Sequence, residues 1–336
     1  MLKDYTQRLL KHKDLKEVEA RNCLELILSK ETSDDVVASF LTALARKGEK
    51  SDEIAGFAQG MREHAISIRS SHSKLIDTAG TGGGLETFNI STASAFVIAG
   101  AGLAVAKHGN RAVTSRCGSA DLLDVLGVRI DRPPEIVQKS LEKIGIAFMF
   151  APLFHPAMKR VALVRRKLGH RTIFNMLGPL TNPASAAYQL IGVYSQDLTE
   201  KMGRALMRLG CKRAWVVHSH DGMDELSSKS PVRVTDVTGS KVESFDLDPR
   251  DLGFDSGDVT ELSGGSPEEN ALLVKGILEN RIKTGARQVV VLNAAAALHI
   301  AGEGELTATI KRAEESIDSG AARQKLADLV RAYETA

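Results

Sequence analysis

With 336 residues the chain can bury a large core in one or two domains, and a formal net charge of +2 gives no global pull toward nucleic acid or lipid. The longest apolar run, Val289 to Gly302, is broken by Asn293 and His299 and is too short to span a bilayer, and no basic-then-apolar leader opens the chain. No membrane role is expected, the expected address is cytoplasmic, and Cys23, Cys117 and Cys211, far apart and without Cys-x-x-Cys spacing, read as reduced thiols.

Residues 1 to 70 read as helices. Val37, Phe40, Leu41 and Leu44 are spaced i, i+3, i+4, i+7, and Ile54, Phe57, Ala58 and Met61 repeat the pattern after an N-cap at Ser51. A small polar joint, Ser70 to Ser73, marks the shift to a different composition. The expectation is a helical part over 1–70, joined by a return segment near 160–185, and an α/β part over 71–336.

After the joint, Leu75-Ile76 reads as a short strand that runs into Gly80, Gly82, Gly83 and Gly84. Such a loop takes positive φ and brings backbone N–H groups close to an anion. Asn89, Ser91 and Thr92 then stand at the start of an apolar small-residue helix from Ala93 to Ala101, where unpaired N–H groups favour phosphate. The spacing is neither Walker A nor Gly-x-Gly-x-x-Gly, so a tight turn with an ordinary Ser cap is an equal reading of the glycines alone. Leu103 to Ala106 reads as a strand with Lys107-His108-Gly109-Asn110-Arg111 at its C-terminal end, where open α/β sheets place ligands. There Lys and Arg offer charge and Asn offers orientation. A second turn, Cys117 to Asp121, opens another helix carrying Leu122, Leu123 and Leu126. Two phosphate-type turns this close suit a ligand with two phosphate ends.

Further strands are expected at Ile146–Phe150, Gln189–Val193, Ala214–His218, Val232–Val237 and Gln288–Leu292, alternating with helical stretches. The fold class is therefore α/β, a small helical N-terminal domain beside a larger domain with a central, mostly parallel sheet. Met158 to Arg171 is the most basic block and reads largely as a solvated helix face, while the prolines around His155 and in Asn175–Pro183 suggest shaped crossings that wall a pocket. Asp224-Glu225 follows a strand and a glycine-containing turn; alone it reads as an acidic helix start, and beside phosphate turns as a magnesium site. His218-Ser219-His220-Asp221 is a weak transition-metal pattern. Gly253 to Ser266 reads as loop.

The strings GTGG, TFNISTASAF, VAKHGNRAVTS and GSADLLDVLGV, followed by FMFAPLFHPAMKRVALVRRKLGHRTIFNMLGPLTNPA, VVHSHDGMDELS, SPEENA and VVLNAAAAL, closely resemble anthranilate phosphoribosyltransferase over nearly the whole chain. The resemblance implies the phosphorylase-type two-part fold and a homodimer formed partly by the helical segment. It implies anthranilate and phosphoribosyl pyrophosphate as substrates, with Mg2+ as cofactor and no nucleic-acid partner. It places Gly80, Thr81, Gly82, Gly83, Thr87, Asn89, Ser91, Thr92, Lys107 and Ser119 on the phosphoribosyl pyrophosphate. It places Gly80, His108, Asn110 and Arg165 on anthranilate, and Ser91, Asp224 and Glu225 on magnesium. No residue is assigned as acid or base.

The sequence departs from the family where the usual Gly-Thr-Gly-Gly-Asp-Gly becomes Gly80-Thr-Gly-Gly-Gly84, one residue shorter and without its acid. Arg116, Cys117, Asp124 and Ser219 are smaller departures. Two alternatives are a pyrimidine nucleoside phosphorylase-like enzyme, which has less use for the acidic pair, and a non-catalytic nucleic-acid-binding relative, which the near-neutral charge disfavours.

Overall fold

Four amphipathic helices open the chain: α1 (Leu2–Leu10), α2 (Glu17–Leu28), α3 (Asp34–Lys47) and α4 (Ser51–Glu63). The computed structural model describes residues 1–112, 116–254 and 259–334. Val113 to Ser115, which close the string VAKHGNRAVTS, and residues 255–258 of the Gly253–Ser266 loop lie outside the described residues. Ser51 is the first helical residue of α4 rather than its cap; Lys50 caps it, its N–H donating to the Glu53 carboxylate. The apolar stripes of α3 and α4 bury Val37, Phe40, Leu41, Ile54 and Phe57 as their spacing predicts.

From Leu75 strands and helices alternate: β1 (Leu75–Gly80), α5 (Ile90–Gly100), β2 (Ala104–Gly109), α6 (Ser119–Val125), α7 (Pro134–Ile144) and β3 (Ile146–Phe150). The short α8 (Ala151–Phe154), α9 (Lys159–Leu168) and α10 (Phe174–Leu177) cross over before β4 (Tyr188–Gly192), α11 (Asp197–Arg208), β5 (Arg213–Ser219), β6 (Val232–Thr238) and β7 (Lys241–Leu247). Four helices finish the chain: α12 (Pro267–Leu278), α13 (Gly285–Ile300), α14 (Leu306–Asp318) and α15 (Ala321–Glu334). The strands form one sheet in the order β3-β2-β1-β4-β5-β6-β7, parallel from β3 to β5 and antiparallel at β6 and β7.

Alternation along β4 and β5 separates two cores. Leu190, Trp215 and Val217 join the larger cluster with α5, α13 and α15, while Ile191, Val193, Ala214 and Val216 join the cluster that α1–α4 and α9–α11 bury. The helical segment thus packs directly on one sheet face, with Val161, Val164, Ile173 and Phe174 of the crossover between them.

Two expectations are corrected. Gln288–Leu292 is not a strand but part of α13, in which Val289, Val290, Val291 and Leu292 are all buried; a helix covered on every side shows no amphipathic period and mimics a buried strand. The strand β7 was not expected, because it is a polar, mostly exposed edge with little apolar alternation. At the opposite edge the Tyr333 hydroxyl accepts from the Phe148 N–H (3.0 Å) and donates to the Phe148 carbonyl (2.9 Å), so α15 satisfies both backbone groups of the central residue of β3. Among the described residues no helix is long and apolar enough to cross a membrane.

Candidate active site

The strand order reverses at β1, with β2 on one side and β4 on the other. The carboxyl ends of these strands, Gly80, Gly109 and Gly192, meet at that switch point, where a crevice forms because the following connections diverge to opposite faces. A cavity of about 660 Å³ opens there, and all fifteen residues singled out from the sequence line it. β1 and β2 are longer than expected. Gly80 and the pair Lys107-His108 are therefore strand residues, and their directions are set by the pleat.

The glycine loop begins where β1 leaves the sheet. Gly82 and Gly83 have φ of +65° and +87°, which only glycine adopts without strain. The Thr81 N–H donates to the Gly192 carbonyl (2.9 Å) and the Leu85 N–H to the Gly222 carbonyl (2.9 Å), which anchors both ends of the turn beside the β5 exit loop. At Gly84 a Cβ would stand 2.8 Å from both the Asp224 amide nitrogen and its Oδ1, so the loop and the acidic residue lie against each other. Thr87 bridges to Ser263 and Phe88 donates to Leu262, bringing the segment after residue 258 over the same loop.

Asp224 and Glu225 sit in an irregular turn after β5, not at a helix start. Burial raises the pKa of Asp224; burial and the neighbouring Asp224 push Glu225 up to about 8. Lys107 and the Ser91 N–H at the start of α5 favour the charged form of Glu225 against that rise. Two acids held side by side, with the Ser91 hydroxyl nearby, form a hard all-oxygen donor set, which fits a magnesium ion that retains water and shares substrate phosphate. Among the described residues no group of three His, Cys, Asp or Glu forms a closed metal site, and His218 instead bonds the Val193 carbonyl (2.8 Å).

Lys107, 4% exposed, donates from Nζ to the Thr78 carbonyl (2.6 Å) and the Ser91 hydroxyl (3.2 Å). Burial lowers its pKa, and the charges of Asp77 and Glu225 oppose that. Asp77 is itself buried. Its carboxylate accepts from the Asn182 side chain (2.7 Å) and the His108 N–H (3.3 Å), and burial pushes it up to about 6 despite Lys107.

The second turn is held by side chains already engaged within the protein. Asn89 donates to the Cys117 carbonyl (3.0 Å) and accepts from Asn270 (3.0 Å), so its first task is to fix the turn that carries Ser119. The Ser119 hydroxyl donates to the Asn110 carbonyl (3.3 Å). Arg111 does not offer the free charge expected of it, because its guanidinium pairs with Asp121 and Asp124. Asn110 is exposed in the cavity, with Oδ1 accepting the Arg111 N–H (2.8 Å). Thr92 is buried, and its hydroxyl has no partner among the described residues.

Successive side chains of a strand point to opposite faces, so Lys107 and His108 divide the cavity. Lys107 turns to α5, whereas His108 turns to the crossover, with Nδ1 3.2 Å from the Gly178 carbonyl and its ring 5.1 Å from that of His155. Burial and then His155 push His108 down to about 3, and burial pushes His155 down to about 4, so both imidazoles are neutral near pH 7. Each leaves a buried Nε2 without a partner among the described residues. Arg165 of α9 lies 5.3 Å above the Phe174 ring, and no carboxylate among the described residues pairs with it. This side offers a neutral, partly aromatic wall with one unpaired guanidinium, suited to a flat ring bearing a carboxylate. His155 and Phe174 were not singled out as binding residues; only the flanking prolines Pro152 and Pro156 hinted at His155.

Comparison with known proteins agrees with this geometry. The family model described as the glycosyl transferase family, a/b domain matches residues 72–323, and that described as the glycosyl transferase family, helical bundle domain matches residues 3–65. The anthranilate phosphoribosyltransferase of Moorella thermoacetica is 48% identical over 332 residues, 98% of both chains. The crystal structure of the Thermus thermophilus enzyme superposes with a TM-score of 0.93 at 41% identity, covering 99% of this chain and all of the other. The Saccharomyces cerevisiae enzyme, solved in complex with phosphoribosyl pyrophosphate and magnesium, gives a TM-score of 0.91 at 29% identity over 100% of this chain and 98% of its own. A fold of this order, a cavity at its switch point and identity near one half across the whole length lead to one assignment: the chain belongs to the anthranilate phosphoribosyltransferase family.

Proposed function

We propose that this protein transfers the phosphoribosyl group of phosphoribosyl pyrophosphate to the amino group of anthranilate, releasing pyrophosphate and forming N-(5-phosphoribosyl)anthranilate for tryptophan biosynthesis. The observation that carries the reading is the division of one cavity by Lys107 and His108 into a phosphate-handling side and a neutral aromatic side. The acidic pair in the same cavity separates it from a nucleoside phosphorylase, which has no pyrophosphate to release.

In this reading Gly80, Thr81, Gly82, Gly83, Thr87, Asn89, Ser91, Thr92, Lys107 and Ser119 receive the phosphoribosyl pyrophosphate, and Arg165, Asn110, His108 and Gly80 orient anthranilate. Ser91, Asp224 and Glu225 hold magnesium, which when bound supplies positive charge to the pyrophosphate. The amine nitrogen lone pair forms the new bond to the anomeric carbon as the carbon–oxygen bond to pyrophosphate breaks, with inversion, and the nitrogen then loses its proton to solvent. An aromatic amine is neutral near pH 7, so positioning and charge stabilisation carry the rate and no side chain acts as general base. Residues 1–70 with the return segment near 160–185, and residues 71–336, are the two parts between which the substrates meet. The protein works as a cytoplasmic homodimer; light scattering of the purified protein tests the dimer.

The direct test is the loss of anthranilate fluorescence on mixing with phosphoribosyl pyrophosphate and magnesium, beside an Asp224→Ala/Glu225→Ala variant. Rapid loss that the double variant abolishes is expected. No loss at any magnesium concentration would overturn the reading.

A further inference from the structure

One cation near the cavity has no part in the roles above. Arg171 lies between α9 and α10, on the crossover, yet its Nη2 donates to the Gly83 carbonyl at 3.0 Å, and its Cζ rests 3.9 Å from the centroid of the Tyr194 ring. Tyr194, just past β4, donates its own N–H to the Thr81 hydroxyl at 3.1 Å. Thr81 and Gly83 of the glycine turn are therefore held by two residues that touch each other and belong to neither β1 nor α5. The approach depends on Gly83, since a Cβ there would lie 2.5 Å from Nη2. Arg171 differs from Arg160, whose guanidinium pairs with Asp34, and from Arg111, paired with Asp121 and Asp124. No carboxylate among the described residues pairs with Arg171, while its charge is felt by Asp224. The guanidinium is thus bound to a neutral carbonyl and a ring face, and its charge reaches Asp224 without a direct ion pair.

We infer that Arg171 is a positioning residue that clamps the Gly82-Gly83 turn over the acidic side of the cavity, presenting a pre-set loop and an open positive charge to a pyrophosphate-bearing ligand. The identity of that ligand rests on the proposed function; the clamp on the loop does not. A hydrogen bond from a charged donor and a face-stacked guanidinium order the loop before the ligand arrives, so less ordering remains to be done on binding.

The test measures hydrogen exchange in peptides covering residues 81–86 of the ligand-free protein, together with steady-state kinetics, for Arg171→Ala, Arg171→Lys and Tyr194→Leu. In Arg171→Ala, exchange over 81–86 is expected to speed up about tenfold while α5 is unchanged, and the KM for phosphoribosyl pyrophosphate to rise about tenfold with that for anthranilate unmoved. Lysine keeps the charge without the planar fork and should restore that KM only in part. Tyr194→Leu keeps the charge and should still loosen the loop. Unchanged exchange in Arg171→Ala would overturn the clamp whatever the kinetics, and so would an equal rise in both KM values. If the parent protein turned over no phosphoribosyl pyrophosphate while Arg171→Ala still loosened the loop, the proposed function would fail and the clamp would stand.

Discussion

A Cβ placed on Gly192 would lie 1.5 Å from the carbonyl oxygen of Asp224 and 2.5 Å from its carbonyl carbon. The end of β4 and the backbone of the acidic pair are in contact, with no room for a side chain. Gly192→Ala must therefore displace the turn that carries Asp224 and Glu225, and a shift of about 1 Å in such a group costs on the order of 100-fold in rate. The expected result is a loss of that size in kcat at saturating magnesium, with the circular dichroism spectrum kept. A variant retaining more than half its rate would show that the carboxylates do not need this placement.

Arg165 makes the second prediction. Its guanidinium is half-buried, rests over Phe174 and has no carboxylate partner among the described residues. A charged hydrogen bond to a ligand carboxylate contributes about 1.5–3 kcal/mol, so Arg165→Ala should raise the KM for anthranilate by about ten- to a hundredfold and leave that for phosphoribosyl pyrophosphate near the parent value. Lysine should recover only part of the loss, because it lacks the planar fork. Equal KM values for anthranilate in parent and Arg165→Ala would remove the residue from the binding site.

Acid should weaken the fold through the histidine pair. Burial, with His155 adding to it, holds His108 down to about 3, and burial holds His155 down to about 4. The unfolded chain takes up these protons as pH falls through about 6.5, but the folded chain does not, so the stability is complete above that value and is lost on acidification. Between pH 7 and pH 5 each imidazole costs about 2 kcal/mol. Asp77 has the opposite sign. Burial raises it to about 6, so the folded state binds its proton first and gains about 1 kcal/mol over the same interval. His108→Gln isolates one contribution: its urea-unfolding free energy should fall about 2 kcal/mol less than the parent's over that range. Parallel slopes would show that His108 titrates normally in the folded protein.

The shortened glycine loop should alter magnesium dependence. Without the acid of the longer family loop, one negative charge is missing beside the phosphates, and the turn is instead drawn toward Arg171. A variant with Asp inserted after Gly83 should need a different magnesium concentration for half-maximal rate, while the parent binds phosphoribosyl pyrophosphate more tightly at low magnesium. Superimposable titrations would mean that the missing charge has no effect on the metal.

The glycine-rich side of the cavity is legible because it is local: glycines with positive φ, a hydroxyl-rich helix start and a lysine fall within one connected stretch of chain. Its details were not. Lys107 and His108 look like residues beyond a strand until β2 is seen to run on to Gly109, and only then does the pleat send them to opposite faces. The charge of Arg111 seemed available from the sequence, yet Asp121 and Asp124 one helix turn apart consume it. Arg171 carries no local signal and His155 only its flanking prolines, since tertiary folding of the crossover brings His155 to His108 of β2 and Arg171 to Gly83, many residues away. Val289 to Leu292 shows the limit of periodicity itself: burial on all sides erases the pattern that distinguishes helix from strand.

Tyr333 lends the order of synthesis a physical meaning. The hydroxyl that meets the Phe148 N–H and carbonyl stands 185 residues further along the chain than the residue it covers, so it leaves the ribosome long after that strand. Until then Phe148 presents an unpaired N–H and carbonyl at the β3 edge to any neighbouring chain. A nascent or prematurely terminated polypeptide ending before α15 is accordingly the form most exposed to edge-to-edge association, although every residue of the cavity has already been made.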